Sequence, residues 1–298
     1  MITGFTIILE DDILYCSDDL KYNAFEIVLF VEKLIRSINP RNTWRLGKIC
    51  LKDQKIGRER IVVNHLITNK NQNLFFCVVG NFNVSSLETL KIINEFSKQV
   101  NVQFRNLSEL KYASEESTFK EIIDLIVAYL KDKYTEPLEE EIIFNEEGIN
   151  TKNLIIYAGI SSQGLPLISQ LCDPNLLMNL TTDKSNENIE LFTSDLSAKL
   201  ETIAMNTQIR AKTKIKEIHI NDIEDAKNKM IILFGNINGY SLDFIASGNF
   251  YKIKEIFKSF KAKMSLDTIF EKEFLGDLKP YKHLKYSLNE IIDEFDHN

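Results

Sequence analysis

The sequence predicts an α+β protein of the sandwich type, built from two tandem copies of one small domain, each a five-stranded antiparallel sheet with the element order ββαβββαα. Three observations carry this expectation. The chain has 298 residues, enough for two domains that each bury a core. Hydrophobic periodicity alternates between two and 3.6 residues in the same succession in each half. A Gly-Asn-Phe triplet recurs at the same point of that succession, as Gly80-Asn81-Phe82 and Gly248-Asn249-Phe250. The expected copies span 1–134 and 153–298, joined by an acidic linker over 135–152 that holds Pro137 and Gly148.

In the first half, residues 4–9 and 13–17 read as two short strands around the polar turn Glu10-Asp11-Asp12. Residues 23–38 read as a helix, because Ile27, Val31, Leu34 and Ile38 fall on one line with Ala24, Val28 and Ile35 beside it. Asn39-Pro40 stops it. Strands over 44–52, 59–67 and 74–80 follow, linked closely enough to form a meander. Ser85 and Glu88 have capping-box spacing before a second helix, and Thr118 and Glu121 repeat it before a third over 119–133. Ile142-Ile143-Phe144 could add one short strand within the linker.

The second half restarts with strands over 153–160 and 165–171, separated by the turn Ser161–Gly164, with Pro166 near a strand start where proline is tolerated. A helix over 187–207 carries Ile189, Phe192, Leu196, Leu200 and Ile203 on one face. Strands over 213–220, 229–235 and 241–247 follow, and Asn238-Gly239 marks a hairpin between the last two. Helical segments close the chain. At each Gly-Asn-Phe corner, glycine suits a sharp strand-to-helix turn, asparagine can accept from helix N–H groups, and phenylalanine can pack beneath.

Composition narrows the function classes. The net charge of −7 and pI near 5.3 do not fit a nucleic-acid binder, which needs a basic face. The N-terminus lacks a basic region, and no apolar run approaches the length of a membrane span, so a cytoplasmic protein without a transmembrane segment is expected. Cys16, Cys50, Cys77 and Cys172 lie in or beside apolar runs without CxxC spacing, which reads as reduced structural thiols.

No catalytic constellation is apparent, and no cofactor or metal site is expected. His65, His219, His283 and His297 fall in no ligand motif. Gly159 and Gly164 have five-residue spacing, but Leu165-Pro166 stands where a P-loop needs Lys-Ser/Thr, so the chain is not expected to be a GTPase itself. Asp11, Asp12, Asp18 and Asp19 read as a solvated acidic turn rather than a cation site. Arg45, Lys48, Lys52, Lys55, Arg58 and Arg60 read as polar sheet positions, or as an edge facing an acidic partner or lipid headgroups.

The interaction signal lies on the first helix of each half. Phe25 and Leu29 point away from the core stripe, among Glu32, Lys33 and Arg36. Leu191, Ala198 and Met205 repeat every seven residues opposite Leu196 and Leu200. A second apolar face on a helix is covered by a partner, by the other copy or by the chain's own linker.

The repeated ββαβββαα order with its Gly-Asn-Phe corner, about 130 residues per copy, resembles the longin fold of the wider longin and roadblock group. The resemblance spans nearly the whole chain. It implies a non-enzymatic scaffold or regulator, binding a small GTPase or a longin/roadblock-type protein in membrane-traffic assemblies, as a homo- or hetero-oligomer or at a membrane periphery. The Ile, Lys and Asn richness fits an AT-rich genome such as an archaeal one. The competing expectation is a tandem PAS- or GAF-like small-molecule sensor, which would hold a ligand-sized cavity on its sheet.

Overall fold

A computed structural model describes residues 2–20, 24–38, 43–53, 57–68, 71–82, 87–134, 154–172, 186–222 and 229–296. The linker, the strand expected within it, and the Ser85/Glu88 cap lie outside the described residues. The fold is α+β with antiparallel strand pairing. Two compact units emerge, one of Met1–Phe30, Leu46–Asn145 and Thr207–Lys214, the other of Val31–Arg45, Glu146–Asn206 and Ile215–Asn298. No helix among the described residues is long and apolar enough to cross a membrane.

The first unit holds β1 (Ile2–Leu9), β2 (Asp12–Cys16), β3 (Trp44–Asp53) from Leu46 onward, β4 (Gly57–Ile67) and β5 (Asn73–Gly80), in the order β2-β1-β5-β4-β3. Between β2 and β3 runs α1 (Ala24–Ile38), which the division into units splits after Phe30; its stripe Ala24, Ile27, Val28, Val31, Leu34, Ile35 and Ile38 is buried as its spacing requires. After β5 come α2 (Leu87–Gln103), α3 (Leu107–Ala113) and α4 (Ser117–Lys133). Phe5, Ile7, Phe76 and Val78 of the sheet join Phe96, Phe104, Phe119 and Ile123 of these helices in one apolar cluster. Phe96 meets the Phe5 ring at 4.6 Å and the Phe76 ring edge-on at 5.7 Å.

The helix α3 was not anticipated. Asn106 caps it, with its side chain accepting from the Glu109 N–H at 2.9 Å. The expected cap at Thr118 is overturned. The chain re-enters helix soon after α3 ends, so the cap position falls on Glu116, which makes no side-chain cap bond, and Thr118 sits inside α4. The helix succession after β5 is therefore ααα.

In the second unit, β6 (Leu154–Ser162), β7 (Leu165–Leu171), β8 (Lys214–Asp222), β9 (Lys229–Ile237) and β10 (Tyr240–Ser247) lie in the order β7-β6-β10-β9-β8. This matches the first unit strand for strand. The helix between β7 and β8 is α5 (Asn186–Ala211), and α6 (Phe250–Met264) and α7 (Leu284–Asp296) follow β10. Short 3-10 turns at Thr268–Glu271 and Lys279–Tyr281 separate the last two helices.

The hairpin turn Asn238-Gly239 has φ values of 48° and 95°, as a two-residue primed turn needs. The β6–β7 turn is shorter than expected. Ser161 and Ser162 remain in β6, and Gln163-Gly164 alone make the reversal, with φ of 54° and 83°. The apolar cluster of this unit joins Ala158, Ile160, Leu242 and Phe244 to Ile253, Phe260, Leu288 and Ile291. Tyr240 donates to the Lys272 carbonyl at 2.6 Å and therefore accepts from Tyr281 at 2.8 Å.

Candidate functional site

Strand geometry sends alternate side chains to opposite faces of a sheet. On β6, Ala158 and Ile160 enter the apolar cluster with α6 and α7, which leaves Tyr157, Gly159 and Ser161 on the other face. On β10, Leu242 and Phe244 take the apolar side, which places Asp243 with Tyr157 and Gly159. The register puts Asp243 directly across from Gly159. The Tyr157 ring lies along the strand over Gly159, so close that a methyl on Gly159 would meet its hydroxyl at 2.1 Å. Glycine is required there by close approach.

The helix α5 contributes from its own buried side. Thr193, Ser197 and Glu201 recur every fourth residue, and all three are buried beside Leu196 and Leu200. Ser197 and Glu201 lie near enough to act on the Tyr157 hydroxyl, and Glu201 near enough to act on Asp243. The exposures are 0% for Tyr157, Ser161 and Ser197, 1% for Asp243 and 3% for Glu201.

This cluster is rich in oxygen and poor in partners. Both Asp243 carboxylate oxygens, Glu201 Oε2, Tyr157 OH, Ser161 Oγ and Ser197 Oγ are buried without completing a hydrogen bond. Such groups are normally satisfied, and each orphan costs about 1–3 kcal/mol. Burial, reinforced by the Glu201 carboxylate, pushes the Asp243 carboxyl well above the usual range. Burial, followed by the Asp243 charge, pushes the Tyr157 phenol upward in the same sense. Ser197 works against that rise without reaching good hydrogen-bond geometry.

A second polar group stands at the Gly-Asn-Phe corner of this unit. Glu217 of β8 meets His219 Nε2 at 2.9 Å and Lys254 Nζ of α6 at 2.7 Å. Burial opposes its ionisation. The His219 hydrogen bond and the Lys254 charge outweigh that and hold the carboxyl at about 2. Phe250 sets its ring edge against His219 at 5.2 Å. Gly248 has φ of 117°, and the Asn249 side chain accepts from the Tyr251 and Lys252 N–H groups at 3.0 and 3.2 Å.

No family model matches the chain, and no curated protein matches it. Among solved structures, an RNA-binding Light-Oxygen-Voltage receptor is similar at 10% identity, with 81% of this chain and 94% of that chain covered and a TM-score of 0.18. A likeness that small carries no argument about fold or function.

The helix residues singled out from sequence differ in exposure. Leu191 and Met205 are exposed, at 71% and 47%, and Ala198 between them is half-buried. Phe25 and Leu29 are half-buried, while Lys33 and Arg36 are exposed. Glu32 is buried and receives the Arg36 Nε at 3.3 Å, so it turns inward rather than offering a surface charge.

The other chemistry-bearing residues also find places. Asp12, Asp18 and Asp19 reach Lys111, Lys120 and Lys131 of α3 and α4 at 3.9, 2.9 and 2.5 Å. The three carboxylates stay largely exposed, so the turn is solvated as expected and carries surface ion pairs as well. Arg45 and Arg60 are buried, which removes them from any exposed basic edge; Lys55 and the Arg58 side chain lie outside the described residues. His65 bonds Asn73 at 2.8 Å and stacks on Phe75, and His283 bonds Asp267 at 2.6 Å. His297 lies outside the described residues.

Sequence reading missed the Asp243 cluster. Its signal was a lone carboxylate in the apolar strand SLDFIA, opposite a strand reading Tyr-x-Gly-x-Ser, with Ser197 and Glu201 at helical spacing.

Proposed function

We propose that this chain is a non-enzymatic interaction scaffold or regulator made of tandem longin-like domains, with a small GTPase or a longin/roadblock-type protein as its partner. The observation that carries the reading is the placement of helices in each half of the chain. One helix runs between the second and third strands, and two or more follow the fifth and fill the opposite face of the sheet with packed aromatics. A filled core with an exposed helix face suits binding between proteins better than turnover. Exposed Leu191 and Met205 on α5 are the apolar contacts such a partner would cover. The link from longin-like architecture to GTPase binding is analogy, so the experiment addresses it directly.

The immobilised full chain is presented with purified small GTPases, stripped of nucleotide or loaded with GDP or a GTP analogue. Capture of the stripped form in preference to the loaded forms is the expected result for an exchange regulator, and capture of a loaded form for a scaffold. Leu191→Asp and Met205→Asp should reduce capture at least tenfold while the fold survives. Capture of none defeats the reading. The alternative, a tandem PAS- or GAF-like sensor, is favoured by one observation, the buried polar cluster on the α5 side of the second unit.

A further inference from the structure

We infer that the buried oxygen cluster of the second unit is a binding site for one hard divalent cation, with Ca2+ the best fit, held by Asp243, Glu201, Tyr157 and Ser197. This goes beyond the scaffold reading and does not depend on it. It also departs from the expectation that the chain holds no metal.

Asp243 and Glu201 are both almost wholly buried and lie near each other. Among the described residues no basic side chain pairs with either one. Buried carboxylates persist when they are paired, neutralised or coordinated to a metal. Two carboxylates balance one divalent ion with no residual charge in a low-dielectric site.

The donor set agrees. Five oxygens of these four side chains lack hydrogen-bond partners: both from Asp243, and one each from Glu201, Tyr157 and Ser197. Ser161 carries a sixth on the same sheet face. All are hard oxygen donors, without nitrogen or sulfur, which is the chemistry of Ca2+ and Mg2+ rather than of zinc. Mg2+ resists dehydration and keeps several waters, whereas Ca2+ accepts six to eight oxygens in flexible geometry. A site enclosed by side chains suits the second ion.

Convergence rests on positions rather than on acidity alone. The fully buried Tyr157 hydroxyl is aimed over Gly159, and Gly159 is the cross-strand partner of Asp243. Ser197 and Glu201, one helical turn apart, approach that hydroxyl from α5. A side chain in place of Gly159 would close the space in which these oxygens meet.

The test uses the full chain, purified in chelator and exchanged into metal-free buffer at neutral pH. Calorimetric titration with Ca2+ should give one site per chain, and the unfolding midpoint should rise by several degrees at saturation. Tb3+, a luminescent Ca2+ substitute, should be sensitised on tyrosine excitation. Asp243→Asn and Glu201→Gln should each weaken Ca2+ binding about tenfold or more, and Tyr157→Phe should remove most of the sensitised Tb3+ emission. If Asp243→Asn does not fold, the other two variants carry the test. Absence of binding at millimolar Ca2+ overturns the site, as does binding that all three variants leave unchanged. Tighter binding of Mg2+ than Ca2+ overturns the size argument, and equal stabilisation by K+ overturns the charge argument.

Discussion

The two units share a strand order and a corner, yet they treat one sheet face in opposite ways. Counting back five residues from each corner glycine reaches Phe75 in the first unit and Asp243 in the second. Phe75 pairs with Ile8, and both are wholly buried. Asp243 pairs with Gly159, and the space beside it holds a tyrosine hydroxyl instead of aliphatic carbon. Two residues further along the same face, the first unit pairs Thr6 with Cys77 and the second pairs Tyr157 with Ile245. The same strand order thus carries the buried Phe75–Ile8 pair in one place and a buried polar cluster in the other. The backbone ladder fixes the architecture, and the residues on one face decide whether it is filler or site.

If the difference lies in the environment and not in the residue alone, transplanting the carboxylate should fail. Phe75→Asp places a charge beside Ile8 and the stacked His65 ring. Loss of the ring alone costs about 3–5 kcal/mol, and a buried carboxylate adds to that. The expected outcome is a chain whose first unit does not fold at neutral pH, read by chemical denaturation. A variant within 1 kcal/mol of the native chain would erase the distinction between the two faces.

The second test acts on the close approach. In the first unit β1 carries Ile8 at the place where β6 has Gly159, so the strand itself accepts a side chain there. In the second unit a methyl at Gly159 would meet the Tyr157 hydroxyl at 2.1 Å and its Cζ at 2.8 Å. Gly159→Ala should therefore cost about 1–3 kcal/mol through overpacking. Tyr157→Phe in the same chain should recover part of that loss, because it removes the nearer atom. Non-additivity in the double-mutant cycle is the measurement, and strict additivity would show that the tyrosine is not what the glycine accommodates.

Much of this architecture was legible because it rests on periodicity. The stripe Ile27, Val31, Leu34 and Ile38 is a pattern that local physics reads without a structure, and so is the Asn238-Gly239 turn. The helix α3 was not legible, since its seven residues carry too little periodicity, although Asn106 and Glu109 announced its cap. The polar cluster was illegible for another reason. It is assembled from three elements far apart in sequence, and each member reads alone as an ordinary surface residue. Ser197 and Glu201 lie beside Leu196 and Leu200, so wheel geometry places them at the margin of the buried stripe. Only the register of β10 on β6 turns that margin into the floor of a site.

The smallest of these contrasts concerns the two Gly-Asn-Phe corners. Phe82 is buried at 2%, while Phe250 is half-buried and rests on His219, which is bound in turn to Glu217. Gly80 stays within its strand, paired with Ile2 and Arg60, whereas Gly248 turns sharply at φ 117°. The second corner is thus tied electrostatically, through Lys254 and His219 on one carboxylate. That carboxyl is held at about 2, below its ordinary 4.5. A depressed carboxyl stabilises the folded state above its unfolded value and loses that contribution as pH falls through the folded one. Glu217→Gln should therefore lower stability by about 3 kcal/mol at neutral pH, from the size of the shift. Its deficit should shrink between pH 4.5 and about 2, the interval set by the two values. A deficit that stays constant across that interval would mean that Glu217 acts through packing rather than charge, and the two corners would then differ only in shape.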